Sequence, residues 1–212
     1  MSFLKGYKLI DLSPKLVPGK EERRLQIRRF IFELDNTIMH DVDTMTHIGS
    51  HIEAPLHYKD GLKDVTELPL ESFIGEGLLL YFDFLKPGNP ITPDAVRRAA
   101  YPSTLTKGDI VLLHSPYTGD QRPYIARQTA KFFLESGIKM LGIGNTVQLE
   151  EKGEMFTHDY LLGNDIPIIE GLVNMDELPR RFIFIGFPIR IQGLDSSWIR
   201  AVALVEEKEV EG

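Results

Sequence analysis

No cysteine occurs among the 212 residues. That absence excludes a disulfide framework, thiolate-bound zinc, an iron–sulfur cluster and a thiol nucleophile, so any metal must sit on nitrogen and oxygen. Basic charge is also short. The chain has 24 Lys and Arg against 31 Asp and Glu, a formal net charge of -7, which argues against a nucleic-acid partner because neutralising phosphates needs basic surface. The mixed-sign stretch KEERRLQIRR at 20–29 reads as a solvated face. No run approaches the ~18 apolar residues that cross a bilayer. The N-terminal MSFLKGYKLIDLSPKL has no signal-peptide core, so a cytoplasmic address with no membrane partner is expected. Repeats and low-complexity linkers are missing too. With 42% hydrophobic and 26% charged residues, the chain reads as one soluble domain over 1–212, able to bury roughly 70% of its unfolded surface.

β-Branched and aromatic runs between turn residues predict strands at Tyr7–Leu12, Arg28–Leu34, Gly77–Phe84, Asp109–Ser115, Met140–Ile143, Ile166–Glu170, Phe182–Pro188 and Arg200–Leu204. Two stretches read as helices. Thr92–Ala100 opens with Thr-Pro-Asp, a cap followed by proline at the first helical position. Pro123–Ser136 carries apolar residues near helical spacing and ends at Gly137, suited to a left-handed cap. Strand, helix and strand between Gly108 and Gly142 predict a right-handed βαβ unit with a parallel pair. The expectation is a mixed-sheet α/β domain, strand-rich in its N-terminal part, with a βαβ unit in the second half.

Four of the six histidines fall between positions 40 and 57. In an extended chain His47, His51, Glu53 and His57 share one face, because their separations are even, while Ile48, Ile52 and Leu56 share the other. A helix fits worse: it would swing Glu53 about 200° from His51, and Pro55 would interrupt it. A straight strand would hold His47 and His51 roughly 13 Å apart, too far to share an ion. The backbone must therefore bend, and Gly49 can take the unusual dihedrals, with Ser50 small enough to leave room for a metal. Imidazole with carboxylate suits zinc, manganese, nickel or iron. His40 reads as a surface residue or an outer partner of the site, and His114, at a strand end, stays open.

The run THIGSHIEAPLH resembles the H-x-G-T-H-x-D-A-P-x-H signature of the cyclase-like metal-dependent hydrolases, the family that includes bacterial kynurenine formamidase, with Ser50 in place of Thr and Glu53 in place of Asp. A second block, HDYLLGNDIPIIEGLVNMDEL at His158–Leu178, resembles the family's distal H-x-x-L-L and I-P-I-x-E-x-L-x-N-L-D-E-L. Shorter agreements lie at Asp11-Leu12-Ser13, Lys107-Gly108-Asp109, Gly142-Ile143, Asp195-Ser196-Ser197 and Arg200-Ala201.

The resemblance implies a fold of the swivelling β/β/α type and a homodimer or homotetramer acting on a small molecule. It implies that His47, His51 and Glu53 hold one divalent ion, that Glu53, His158 and Glu170 are available to a second, and that zinc or manganese is the cofactor. His57 matches the proton shuttle of a hydrolase that opens an amide or cyclic amide C–N bond through metal-bound hydroxide. Kynurenine formamidase of tryptophan catabolism is the alternative, weakened because the loop LVPGKEERR lacks the aromatic residue of aryl-binding members and Gly144–Val147 departs from the usual G-I-D-x-x-S. A non-catalytic metal-binding module is the second alternative, and His57 argues against it, since a closed structural site has no use for a spare proton carrier.

Overall fold

The computed structural model describes residues 6–207. Its centre is built from the most apolar runs of the chain. β5 (Ile74–Tyr81), β7 (Ile110–His114), β9 (Met140–Gly144) and β10 (Ile168–Leu172) lie side by side and parallel. Alternation along them fills two cores. Leu78, Leu80, Val111 and Leu113 enter one, beneath the helices α2 (Pro93–Ala100), α3 (Arg127–Ser136) and α4 (Phe156–Leu161); Leu79, Ile110, Leu112 and Ile169 enter the other. Strands covered on both faces read as unbroken hydrophobic runs, which is why the sequence marks them clearly.

Antiparallel strands flank this centre. On one side come β11 (Arg181–Ile185), β13 (Val202–Glu206) and β1 (Tyr7–Asp11); on the other come β4 (His51–Glu53) and β12 (Ser196–Trp198), giving a nine-stranded mixed sheet in the order β1-β13-β11-β5-β7-β9-β10-β4-β12. β7, α3 and β9 form the expected parallel βαβ unit. Strands precede helices in the N-terminal part: β2 (Leu25–Ile31) and β3 (Ile38–Thr44) pair with each other outside the main sheet, and the first helix is the single turn α1 (Pro55–Tyr58).

Several boundaries shift. α2 starts at Pro93 with the Thr92 hydroxyl accepting from the Ala95 amide, and α3 ends at Gly137 in the left-handed region, both as read from sequence. α3, however, begins at Arg127 rather than Pro123, because Tyr124–Ile125 (β8) pairs with Pro90–Ile91 (β6) and buries Ile125. The strand expected at Arg28–Leu34 stops at Ile31, where the chain turns back through Asn36. Among the described residues no helix is long and apolar enough to cross a membrane.

Candidate metal centre

Three short strands set the site. β4 lies between β10 and β12, antiparallel to both, with Glu170 and Trp198 opposite His51, and Ile168 and Ser196 opposite Glu53. Opposed residues share a face. His51, Glu53 and Glu170 therefore point to one side, while Ile52 and Ile169 enter the core on the other. The expected alternation holds only over these three residues. Pro55 opens a helical turn in which the His57 amide donates to the Ala54 carbonyl, so His57 reaches the cluster from α1 and not along a strand. Glu170 sits at the middle of β10 rather than at its end.

The bend ahead of β4 is made at Gly49, whose φ is +59°. Ser50 does not face the cluster as an opening for metal: its hydroxyl donates to the Gly171 carbonyl at 2.9 Å, tying the bend to β10. Gly171 has φ +74°, and a Cβ there would stand 2.2 Å from the Gly49 carbonyl oxygen. The bend brings the His47 and His51 rings to 4.9 Å between centroids, with His57 4.2 Å from His47. His158 arrives from α4 more than a hundred residues later, its ring 5.9 Å from that of His57.

Glu53, 2% exposed, is the hub. Its Oε1 lies 3.2 Å from His47 Nδ1, 3.6 Å from His57 Nε2 and 3.8 Å from His51 Nε2, and its Oε2 lies 3.5 Å from His158 Nε2. His51 Nε2 is also 3.6 Å from Glu170 Oε2. His51 Nδ1 donates to the Gly49 carbonyl at 2.9 Å, which leaves Nε2 as the ring atom facing Glu53 and Glu170. His51 Nε2 and Glu53 Oε2 are buried with no hydrogen-bond partner. Ser196 Oγ, opposite Glu53, is a third such atom. Buried polar atoms without partners are costly. A cation answers this, because two donors each about 2.1 Å from a tetrahedral ion stand about 3.4 Å apart, close to the spacing found here. His47, Glu53 and His57 form one set that could hold an ion, and His51, Glu53 and Glu170 another.

Burial alone would raise the Glu53 carboxyl, yet the imidazoles of His158, His47 and His51 that face it hold it well below the usual range. Burial and the neighbouring Glu53 charge push Glu170 up. His47 rises because Glu53 and Asp195 outweigh its desolvation. For His158, desolvation is outweighed by Glu150 and Glu53, and its value reaches about 10.

A family profile described as "Putative cyclase" matches residues 10–148. The chain belongs to this family. The kynurenine formamidase of Erythrobacter litoralis (strain HTCC2594) is 30% identical over 159 residues, covering 74% of this chain and 72% of that protein. Among solved structures, isatin hydrolase A from Labrenzia aggregata, bound to benzyl benzoate, superposes with a TM-score of 0.80 at 20% identity, covering 95% of each chain. A protein described as a potential metal-dependent hydrolase with cyclase activity gives 0.76 at 21% identity, covering 95% of this chain and all of that one. The fold is thus that of the cyclase-family hydrolases.

In this cyclase-family chain the structure brings His47, His51, Glu53, His57, His158 and Glu170 together. His40 lies exposed on β3 opposite Arg29, and His114 lies at the end of β7, accepting from or donating to Thr146 Oγ1 at 3.0 Å beside Tyr81, in a different cavity. Two carboxylates were not read from sequence as site residues. Asp195 Oδ2 lies 2.8 Å from His47 Nε2 and 3.0 Å from His57 Nδ1, and Glu150 Oε1 lies 2.6 Å from His158 Nδ1. Asp195 stands in a matching block that carried no role, and Glu150 is masked by the acidic run EEKGE. A cavity of about 430 Å³ opens on His47, His51 and Glu170, with Glu21, Glu22, Arg23 and Asn145 on its wall.

Two outcomes follow from this geometry. Gly171→Ala adds both a positive-φ strain and a clash with the Gly49 carbonyl, so it should destabilise the fold by about 1–3 kcal/mol in denaturant titration. In the metal-free protein His158 keeps its proton up to about pH 10, whereas the ordinary value is 6.5. The folded state therefore binds a proton that the unfolded state has released. This stabilisation is complete below the ordinary value and is lost as pH rises through about 10. Thermal melting of metal-free protein should fall across this window, and His158→Gln should flatten the slope; a wild-type profile that rises over the same range would contradict the assignment.

Proposed function

We propose that the chain is a metal-dependent hydrolase that cleaves an amide or cyclic amide C–N bond. The observation that carries this reading is the pair of buried, unpartnered atoms, His51 Nε2 and Glu53 Oε2, inside a cluster of four histidines and two glutamates beside a cavity. The relative named kynurenine formamidase supports the reaction class. In this reading His47, His51 and Glu53 hold one divalent cation, and Glu53, His158 and Glu170 are placed for a second. Zinc or manganese suits the nitrogen and oxygen donors. When bound, the cation polarises the scissile carbonyl and lowers the pKa of water beside it.

His57 is the proton carrier. Asp195 accepts from its Nδ1, which leaves Nε2 with the lone pair and facing the cluster, 3.6 Å from Glu53 Oε1. From there Nε2 takes a proton from the attacking water and returns it to the leaving nitrogen. Asp195 also accepts a bond from the Thr46 hydroxyl, which steadies the carboxylate. An ordered base of this kind serves catalysis and adds nothing to a closed structural site.

Glu21, Glu22 and Arg23 supply charge to the cavity wall where an aryl substrate would need a ring. N-formylkynurenine is therefore a weak substrate in this reading, and the relative's activity is the alternative. The exposed β2–β3 hairpin supports a homo-oligomer: Ile27 and Val42, opposed on one face, are 49% and 59% exposed, and an isolated hairpin is marginal in water.

His51→Ala should abolish tight metal retention. His57→Ala should keep the metal and lose about 10²–10⁴-fold in turnover, as a general acid–base does. Metal analysis beside steady-state kinetics on N-formyl amides, lactams and lactones separates the two, and equal losses of metal and activity in His57→Ala would make His57 a ligand. For N-formylkynurenine, missing aromatic stacking should weaken binding about three- to twelvefold. A kcat/KM within the usual 10⁴–10⁸ M⁻¹s⁻¹ range for that compound would favour the formamidase alternative.

A further inference from the structure

Glu150 lies in an acidic run, EEKGE, that would ordinarily be solvated, yet it is only 9% exposed. Both of its oxygens are engaged. Oε1 lies 2.6 Å from His158 Nδ1, and Oε2 accepts from the Thr157 amide at 2.9 Å, at the start of α4. The Thr157 hydroxyl donates to the Leu149 carbonyl at 2.6 Å, so the chain before Glu150 is fastened to the same turn. An ionised carboxylate only accepts, so the proton between Glu150 and His158 belongs to Nδ1. With Nδ1 committed to Glu150, the ring turns Nε2 toward Glu53 Oε2, 3.5 Å away and itself buried without a hydrogen-bond partner. A positive charge has to stand between these two atoms: a proton on Nε2 without metal, and a cation once that proton is displaced.

We propose that Glu150 is a positioning residue that fixes the Nδ1–H form of His158 and so turns its Nε2 into an electron-pair donor for a divalent cation shared with Glu53. The inference rests on the metal reading above and adds a residue to it. Carboxylate is required, not merely a polar group of the same shape. Glutamine has one acceptor for two N–H donors. If its oxygen keeps the buried Thr157 amide, its NH₂ meets His158 Nδ1, and the ring proton moves to Nε2, the form that cannot bind a cation. If instead the oxygen turns to His158, the NH₂ group is forced against the Thr157 N–H.

Metal-free wild-type, Glu150→Gln and Glu150→Asp proteins should be titrated with Zn²⁺ alone against a competing chelator. Glu150→Gln should weaken zinc binding by about 10–100-fold, the usual effect of removing a carboxylate behind a histidine ligand. Glu150→Asp, which keeps two acceptors, should recover part of the loss. In ¹⁵N-edited spectra of the zinc-loaded wild-type protein, His158 should carry its single ring proton on Nδ1. Wild-type protein that retains no zinc would overturn the metal reading and this inference together. Wild-type affinity that is tight but matched by Glu150→Gln would overturn this inference alone, as would a lowered melting temperature with unchanged zinc affinity. Should the glutamine variant not fold, the spectrum decides, because a proton on Nε2 of the loaded wild-type protein refutes the proposal.

Discussion

A carboxylate that is 2% exposed can stay ionised only if its surroundings repay the lost hydration, and Glu53 depends on this. Burial works to protonate it, while His158, His47 and His51 hold it charged. The four rings that surround it come from a bend, a three-residue strand, one helical turn and a distant helix. Each is oriented by an acceptor on its far side where one is present: Gly49 O for His51, Asp195 for His47 and His57, Glu150 for His158. The centre is thus one buried charge with a first ring of imidazoles and an outer ring of acceptors. Removing an outer acceptor frees a ring to turn, and the hub then loses the partner that kept it charged.

The sheet makes such an arrangement possible with little chain. β4 is short, but it is paired on both edges, so its three side chains are fixed by two neighbours and their register. A one-residue slip would send His51 and Glu53 into the core and Ile52 to the cluster. The close approach of Gly171 to Gly49 and the Ser50 hydrogen bond to the Gly171 carbonyl oppose that slip from the neighbouring strand. The parallel strands beyond supply rigidity, since their side chains fill cores on both faces.

How much of this the sequence displays depends on whether the signal is local. The central strands and the βαβ unit are legible because two-sided burial writes itself as Val, Ile and Leu runs such as IVLLH and MLGIG. The pattern around His51 shows a face but not its length: alternation continues to His57 on paper, whereas Pro55 starts a helical turn instead. Tyr124 and Ile125 look like the start of α3 and are held in a two-residue strand by partners at Pro90 and Ile91, a long-range contact that no local window contains. His158 and Glu170 were reachable only through the resemblance of their block to a family motif. Asp195 and Glu150 act on histidines 138 and 8 residues away, and a carboxylate in an acidic run has no feature that marks it as buried.

The glutamate at position 53, where the motif has aspartate, gains a methylene, and the structure shows what that length does. Its two oxygens are divided, Oε1 toward His47, His51 and His57 and Oε2 toward His158. The longer side chain therefore still faces both halves of the cluster. Charge gives the same answer as reach. Glu53, Glu170, Asp195 and Glu150 place four carboxylates in or directly behind the ring of histidines. Without metal, part of that charge is met by protons on His47 and His158, both raised above the ordinary value for histidine. Divalent cations bound to Nδ1 or Nε2 would displace those protons and supply the positive charge in their place, so loading the site and deprotonating its histidines are one event.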